Sequence, residues 1–395
     1  MPSQQAAAKS MVDGVTQRDI KSSVRTPNTA TDPDEVQVLP EFNEESGSIL
    51  ANGWKLGKQL GEGMQGAVYA LEGKDGKDAG RVLKLLHHKL KAKVTGDLVL
   101  LEREWAIGRK LNLLNEDDGF LQGFMQTGSK VLDKDGSLLG IILEKLNGKG
   151  AMDRFDDAKF NDIDYILEMV KQALEALDRA RNAIGFRHGD MHIRNVMEHR
   201  IEGEAGDAET DSDEVRFGSS VDLRGLHFKI IDYGHAAIDK QASQDYEKLR
   251  KAGKYETPAP PAISPENLYR AVFDKREDVW RFMRSIGQAA EGRVWHEEDK
   301  PKVKLLLSTI RKTTGYKHKA HFARSNESGE RRKSFFEQLM SVGSQFFIFK
   351  WLHIMLHAYF FPGHPTMTPK EALQYMKRKR AELGIEDWES PAPSS

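Results

Sequence analysis

The apolar positions of this chain change their period once, near residue 147. From Trp54 they fall in short runs broken by glycine and aspartate. WKLGKQLGEG and GAVYALEG flank a glycine loop, KDGKDAG reads as a turn, and RVLKLL comes next. Runs with this punctuation predict strands joined by tight turns. Residues 97–114, DLVLLEREWAIGRKLNLL, set Leu100, Trp105, Ile107, Leu111 and Leu114 at roughly helical spacing. VLDKDGSLLG, with its own Asp-Gly turn, and IILEKL return to strand character. Residues 54–146 therefore predict a mostly antiparallel sheet carrying one helix.

After residue 147 helical periodicity takes over. DYILEMVKQALEALDRARNAIG (164–185) predicts a long amphipathic helix stopped at Gly185, a good C-cap residue. Residues 265–288, 299–312, 331–361 and 368–383 also predict helix. With 395 residues the chain exceeds one ordinary core, and the change of period divides it into lobes at 49–146 and 147–384. Residues 1–48 are rich in Ser, Gln, Thr, Asp and Pro, with few large apolar residues in the first 35, a composition that cannot offset its ordering entropy. They predict a disordered tail, with order starting near Trp54, and 385–395 predict a second one. EGEAGDAETDSDE (202–214) reads as a solvated acidic insert, and the Lys/Arg-rich 311–333 as an exposed loop.

Composition narrows the function classes. A net charge of −1 gives no general attraction to nucleic acid or to a membrane surface. The absence of cysteine removes disulfides, thiolate catalysis and Cys-based zinc sites, and fits a reducing compartment. The first residues lack an apolar signal core, and Pro2 excludes N-myristoylation. FFIFKWLHIMLHAYFF (346–361) is short for a span and contains Lys350, His353 and His357, so it predicts a buried helix. The expectation is a soluble, monomeric protein of the cytoplasm or nucleus, with no nucleic-acid or membrane partner.

Five polar residues and a glycine run stand out against this background. GEGMQGAV places Gly61, Gly63 and Gly66 before Val68. The succeeding residues, AVYALEG, alternate as a strand, so the loop joins two strands and does not open a dinucleotide-type helix. A flexible hairpin is the plain alternative. Lys84 lies inside the apolar run RVLKLL, where burial is costly without partners. An exposed lysine on an edge strand is the plain reading there; the sharper one is a cation reaching the α- and β-phosphates of a nucleotide. Glu104, which shares a helix face with Ile107 and Leu111, is preferred over Glu102 as its ion-pair partner. In FRHGDMHIRNVM (186–197), Asp190 can accept or orient the proton of a hydroxyl, and Asn195 offers a neutral oxygen suited to Mg²⁺. In FKIIDYGHA an apolar strand delivers Asp232, a carboxylate able to bridge Mg²⁺ to phosphates.

On these residues the chain resembles the protein-kinase-like superfamily, over roughly residues 54–380. Gly61-x-Gly63-x-x-Gly66-x-Val68 is similar to the family's glycine-rich loop, Lys84 to its strand lysine and Glu104 to its helix glutamate. His188-Gly189-Asp190 with Asn195 resembles the catalytic loop, and Asp232-Tyr233-Gly234 the metal-binding element. IILEKLNGKGAM (141–152) is similar to the segment linking the lobes. That likeness puts Leu143 at the gatekeeper position and the backbone of Glu144 and Leu146 against adenine. The resemblance implies an α+β, two-lobed fold: an antiparallel N-lobe sheet with one helix and a mainly helical C-lobe. It also implies ATP and Mg²⁺ in the cleft, and transfer of the γ-phosphoryl group to a protein hydroxyl, Ser or Thr.

The pattern departs from the family at two positions. Gly189 stands where most protein kinases have the arginine that grips an activation-loop phosphate, and His192 where many have lysine. HGD-x-H-x-x-N resembles aminoglycoside and choline phosphotransferases, although divergent protein kinases such as haspin also carry histidine there. Downstream, Ser264-Pro265-Glu266 resembles the APE motif, with Arg276 a poor partner for Glu266. Asp278-Val279-Trp280 resembles the D-x-W helix, and HPTMTPKEAL (364–373) a stretch near the end of protein-kinase domains. These favour a protein acceptor, with Ser243, Tyr246, Tyr255 and Thr257 as candidate phosphorylation sites. A small-molecule phosphotransferase and a non-enzymatic pseudokinase scaffold are the rival readings.

Overall fold

A computed structural model describes residues 36–39, 48–62, 66–86, 94–115, 123–157, 159–200, 221–239, 278–323 and 367–385. The fold is α+β, a multi-stranded N-terminal sheet followed by a mainly helical region. Among the described residues six strands form the sheet: β1 (Gln37–Val38), β2 (Lys55–Glu62), β3 (Gly66–Glu72), β4 (Asp78–Leu86), β5 (Thr127–Leu132) and β6 (Leu138–Glu144), in the order β1-β5-β6-β4-β3-β2. One helix, α1 (Val94–Asn115), crosses from β4 to β5.

Side chains alternate across a strand, so β4 feeds two cores at once. Leu83 and Leu85 join Leu56, Leu71 and Ile142 on one face. Val82 and Leu86 lie on the other face, with Leu101 of α1, Ile141 and Leu143. Lys84 sits between Val82 and Leu86 in this alternation and therefore faces α1. The strand is internal, paired with β3 and β6, which excludes the edge-strand reading of Lys84.

Order begins earlier than Trp54. Gln37–Val38 pairs parallel with β5, Gln37 opposite Val131 and Val38 opposite Leu132. Leu39 and Leu50 are buried in the sheet's core, so a short VQVL stretch gains enough apolar burial to be ordered although its neighbours are polar. The sheet consequently contains one parallel pair among antiparallel ones.

In the second lobe α2 (Ala151–Asp156) leads to α3 (Ile163–Ile184). Asp162 caps α3 by accepting the Tyr165 N–H at 2.9 Å, and Gly185 ends it in the left-handed region at φ 61°. The buried face of α3 packs in one core with Phe186, Phe228, Met283 and Leu306. These come from the connecting segment, from β8 (Leu226–Ile230), from α4 (Asp278–Ala290) and from α5 (Lys300–Thr314). β7 (Val196–Arg200) pairs antiparallel with β8. β9 (Val294–His296) pairs parallel with β10 (His321–Ala323), and α6 (Pro369–Glu382) completes the described lobe. Arg293, almost fully buried, donates to the carbonyls of Ala289 and Asp157 at 3.1 Å, and also to those of Phe155 and Phe160. One guanidinium thus ties the end of α4 to the turn between α2 and α3.

The two lobes meet along backbone. Ile230 donates to Gly123 O at 2.8 Å, and Met125 donates to Ile230 O at 3.1 Å. The strand that delivers Asp232 is therefore attached directly to the lead-in of β5. No helix among the described residues is long and apolar enough to cross a membrane. Of the expected tails 1–48 and 385–395, residues 1–35, 40–47 and 386–395 lie outside the described residues, as do the acidic insert 202–214, the helix predicted at 331–361, Ser264-Pro265-Glu266 and the four phosphorylation candidates.

Candidate active site

The period-2 geometry of β4 sends Lys84 toward α1, and the helix face holding Ile107 and Leu111 brings Glu104 to meet it. Lys84 Nζ donates to Glu104 Oε2 at 2.6 Å and lies 3.8 Å from Asp232 Oδ1. Glu102 instead pairs with Lys130 at 2.7 Å on the exposed side of the helix. Burial alone would lower the Lys84 pKa, but the adjacent charges of Glu104 and Asp232 carry it above the ordinary lysine value. The ammonium stays charged.

The segment after α3 is fixed from α4. Asp278 accepts the backbone N–H of His188 at 2.7 Å on one oxygen and that of Gly189 at 2.9 Å on the other. His188 is buried, its Nε2 2.9 Å from Ile231 O. Gly189 has φ 76°, a conformation natural to glycine, and a Cβ there would collide with the His235 carbonyl oxygen. This backbone therefore has no room for a side chain at position 189.

Asp190 comes next, half-exposed. Its carbonyl accepts the Asn195 side-chain amide at 3.0 Å, while Asn195 O accepts the Ile231 N–H at 3.0 Å. Asn195 therefore links the Asp190 loop to the strand that ends at Asp232. A hydrogen bond from His192, and then the charges of His192, Arg281 and His235, hold the Asp190 pKa below the usual carboxylate range against the effect of burial.

Asp232 is the single non-glycine residue with positive φ among those described, at 64°. A non-glycine side chain in that region stores strain of roughly 1 kcal/mol or more. Tyr233 holds the turn, its buried hydroxyl donating to Ile230 O at 2.7 Å and within 3.1 Å of Met125 O.

The glycine positions separate. Gly61, in β2, borders open space, whereas a Cβ on buried Gly66 would overlap the Leu85 carbonyl. Gly66 is therefore required for the close approach of β3 to β4, independently of any ligand. Gly63 lies outside the described residues. Val68 stands opposite Lys84 across the strands. Together with Leu146 and Ile231 it is a partly buried apolar group packed against the Leu143 cluster, a set able to cover a planar base.

Glu144 and Leu146 differ in what they have free. The Glu144 N–H is spent on Gln126 O at 2.9 Å, and its carboxylate accepts Gln126 N at 3.0 Å and Lys229 Nζ at 2.5 Å. Leu146 makes no backbone hydrogen bond among the described residues, so its N–H and carbonyl are open to a partner.

The donor set fits MgATP. Asp232 offers a carboxylate, and Asn195 an amide oxygen without a hydrogen-bond donor among the described residues; both are hard oxygen ligands. Among the described residues no cluster of three or more His, Cys, Asp or Glu forms a closed metal site. Two protein oxygens suit Mg²⁺, which keeps waters and takes phosphate oxygens.

Three contributors were not read from the sequence. Lys229 carries the same signal as Lys84, a lysine among apolar neighbours in FKII, and could have been found by it. Arg281, whose Nη1 lies 3.6 Å from Asp190 Oδ1, gave no signal. Nor did the hydroxyl anchor of Tyr233.

No protein-family model and no curated protein matches the chain. Among solved structures it is similar to the kinase domain of Mycobacterium tuberculosis PknI. Two double mutants of that domain align at 14% identity with TM-scores of 0.38 and 0.39, covering 68% and 69% of this chain and 89% and 90% of theirs. A single mutant aligns at 16% identity and TM-score 0.33, covering 60% of this chain and 89% of its own.

Proposed function

We propose that this chain is an ATP-dependent phosphotransferase acting on a protein hydroxyl, Ser or Thr. The observation that carries the reading is the placement of Lys84 Nζ between Glu104, at 2.6 Å, and Asp232, at 3.8 Å. A buried lysine with two carboxylates is a costly arrangement to keep for stability alone, and it has a purpose if phosphate oxygens approach the ammonium.

In this reading Lys84, steadied by Glu104, orients the α- and β-phosphates. Asp232 and Asn195 hold Mg²⁺, Leu146 offers its backbone to adenine, and Val68, Leu143 and Ile231 cover the ring. Bound MgATP supplies the transferable phosphoryl group and neutralises its charge. Asp190 orients the acceptor hydroxyl and takes its proton; its carboxylate is half-exposed and ionised, as a base must be. The acceptor loop is fixed by Asp278 from α4 and joined to the metal strand through Asn195, so positioning supplies much of the rate.

The test is transfer of labelled phosphate from ATP to mixed proteins and to a panel of hydroxylated metabolites, with Asp190→Asn beside the wild type. Protein labelling that falls about 10²–10⁴-fold in the variant is expected. Equal labelling by the two proteins removes Asp190 from the chemistry. Labelling of metabolites alone moves the reading to a small-molecule phosphotransferase. A well-folded protein that neither hydrolyses ATP nor labels anything is a scaffold.

A further inference from the structure

Among the described residues two basic side chains, Arg281 and His192, flank the Asp190 carboxylate. Asn195 and Ile231 join the Asp190 loop to Asp232 and, through it, to Lys84, so the phosphoryl donor belongs on that side. A hydroxyl must approach from the other side, where α4 passes. There Arg281 Nη1 lies 3.6 Å from Asp190 Oδ1, and His192 Nε2 lies 3.5 Å from Oδ2.

Neither side chain is consumed by the fold. Arg281 is 39% exposed and His192 33% exposed, and Arg281 has no other ion pair or hydrogen bond among the described residues. His192 Nδ1 is buried without a partner. The helix turn that carries Arg281 is anchored on both sides. Asp278 binds two loop amides, and the Arg284 guanidinium lies 5.2 Å from the Trp280 ring and 5.1 Å from Tyr316. His235, also exposed, closes over Gly189 with its carbonyl. Among the described residues, Asp278 is committed to backbone amides and Asp232 lies on the Lys84 side. A cationic acceptor would meet Arg281 directly, while an anionic one would displace it from Asp190 and keep it as a counter-ion.

We infer that Arg281, with His192, forms an anion clamp on the acceptor side of Asp190, and that the acceptor is an acidic peptide, a hydroxyl flanked by carboxylates. The inference rests on the phosphotransferase reading above and names its substrate class. In the step itself the acceptor O–H bond breaks as the new O–P bond forms. The bond between the γ-phosphorus and its bridging oxygen breaks, ADP leaves, and the proton passes to Asp190. Arg281 takes no part in bond making; it is a positioning residue.

The test uses the full chain with MgATP and three serine peptides, identical except for flanks that are acidic, neutral or basic. In the wild type kcat/KM is expected to be about tenfold higher for the acidic than for the neutral peptide, a ratio that shrinks as salt screens the charges. Arg281→Gln is expected to bring the ratio to within about twofold of unity and Arg281→Lys to keep most of it, because the charge survives. Thermal unfolding of each variant controls for folding. A wild-type ratio near one, a preference for the basic peptide, or an unchanged ratio in Arg281→Gln overturns the clamp.

A second arm separates this inference from the reading beneath it. The acidic peptide with alanine at the acceptor position is titrated onto each protein in the presence of a non-hydrolysable ATP analogue and Mg²⁺. Weaker binding by Arg281→Gln supports the clamp even if no peptide is ever phosphorylated, a result that would remove the enzyme reading alone. Equal binding overturns the clamp whatever the turnover.

Discussion

Lys229 of β8 and Glu144 at the end of β6 form a buried ion pair at 2.5 Å, the lysine side chain being wholly shielded from water. The pair ties the segment linking the lobes to the strand that delivers Asp232. Removing one member of a buried pair leaves the other charge uncompensated, so Lys229→Met is expected to lower stability by about 3–5 kcal/mol. Adding Glu144→Gln should recover a substantial part of that loss. Urea unfolding of the wild type, the single and the double variant measures both numbers; a single variant as stable as the wild type contradicts the coupling.

His199 makes folding sensitive to acid. Its Nδ1 accepts the Asn147 N–H at 3.3 Å, which requires that nitrogen to be unprotonated. Burial, and then the Lys229 charge, push its pKa from 6.5 down to about 4. The unfolded chain therefore binds a proton that the folded chain refuses. The stabilisation is complete above about pH 6.5 and is lost as pH falls toward 4, at most on the order of 3 kcal/mol. His199→Gln is expected to flatten the unfolding midpoint between those pH values. A midpoint that declines in parallel with the wild type assigns the acid sensitivity elsewhere.

Gly189 is predicted to reject every side chain. Gly189→Ala combines a left-handed backbone with a collision against His235 O, and should cost about 2–4 kcal/mol. Gly189→Arg, with a larger side chain at the same point, should fold less well still. Thermal unfolding checks the first. An alanine variant with an unchanged midpoint means that the loop relaxes freely.

Asp278 is expected to act on turnover more than on nucleotide binding. Asp278→Ala takes the acceptors from two loop amides while leaving Lys84, Asn195 and Asp232 in place. Loss of positioning at this level should lower kcat about 10²-fold, with the affinity for a non-hydrolysable ATP analogue changed only slightly. Equal losses in both quantities would mean that the whole cleft depends on the aspartate.

How much could be read from the sequence depends on how far each signal reaches along the chain. The strands flanking the glycine loop, α1, and the long helix closed by Gly185 depend on local periodicity and capping, so they were legible to within a few residues. The choice of Glu104 over Glu102 was also local, since the helix face containing Ile107 turns only one of them inward. The parallel strand at Gln37–Val38 was not legible. Two residues carry no period, and their partners at Val131 and Leu132 lie far along the chain. The same limit hid Arg281 from Asp190 and the His235 carbonyl from Gly189. These are contacts between segments that no pattern links, and only folding brings them within reach.

That small parallel strand determines where the protein can be cut. β1 covers the outer side of β5, and Leu39 adds a further hydrogen bond to Leu132 O at 2.9 Å. A chain begun at Trp54 would keep every residue proposed for chemistry and still lose this cover. It would bare the backbone of β5 and the apolar hollow filled by Leu39 and Leu50, leaving an open strand edge ready to pair with another molecule. Clumping of a shortened protein would therefore come from an uncovered seam, while the cleft itself remained whole.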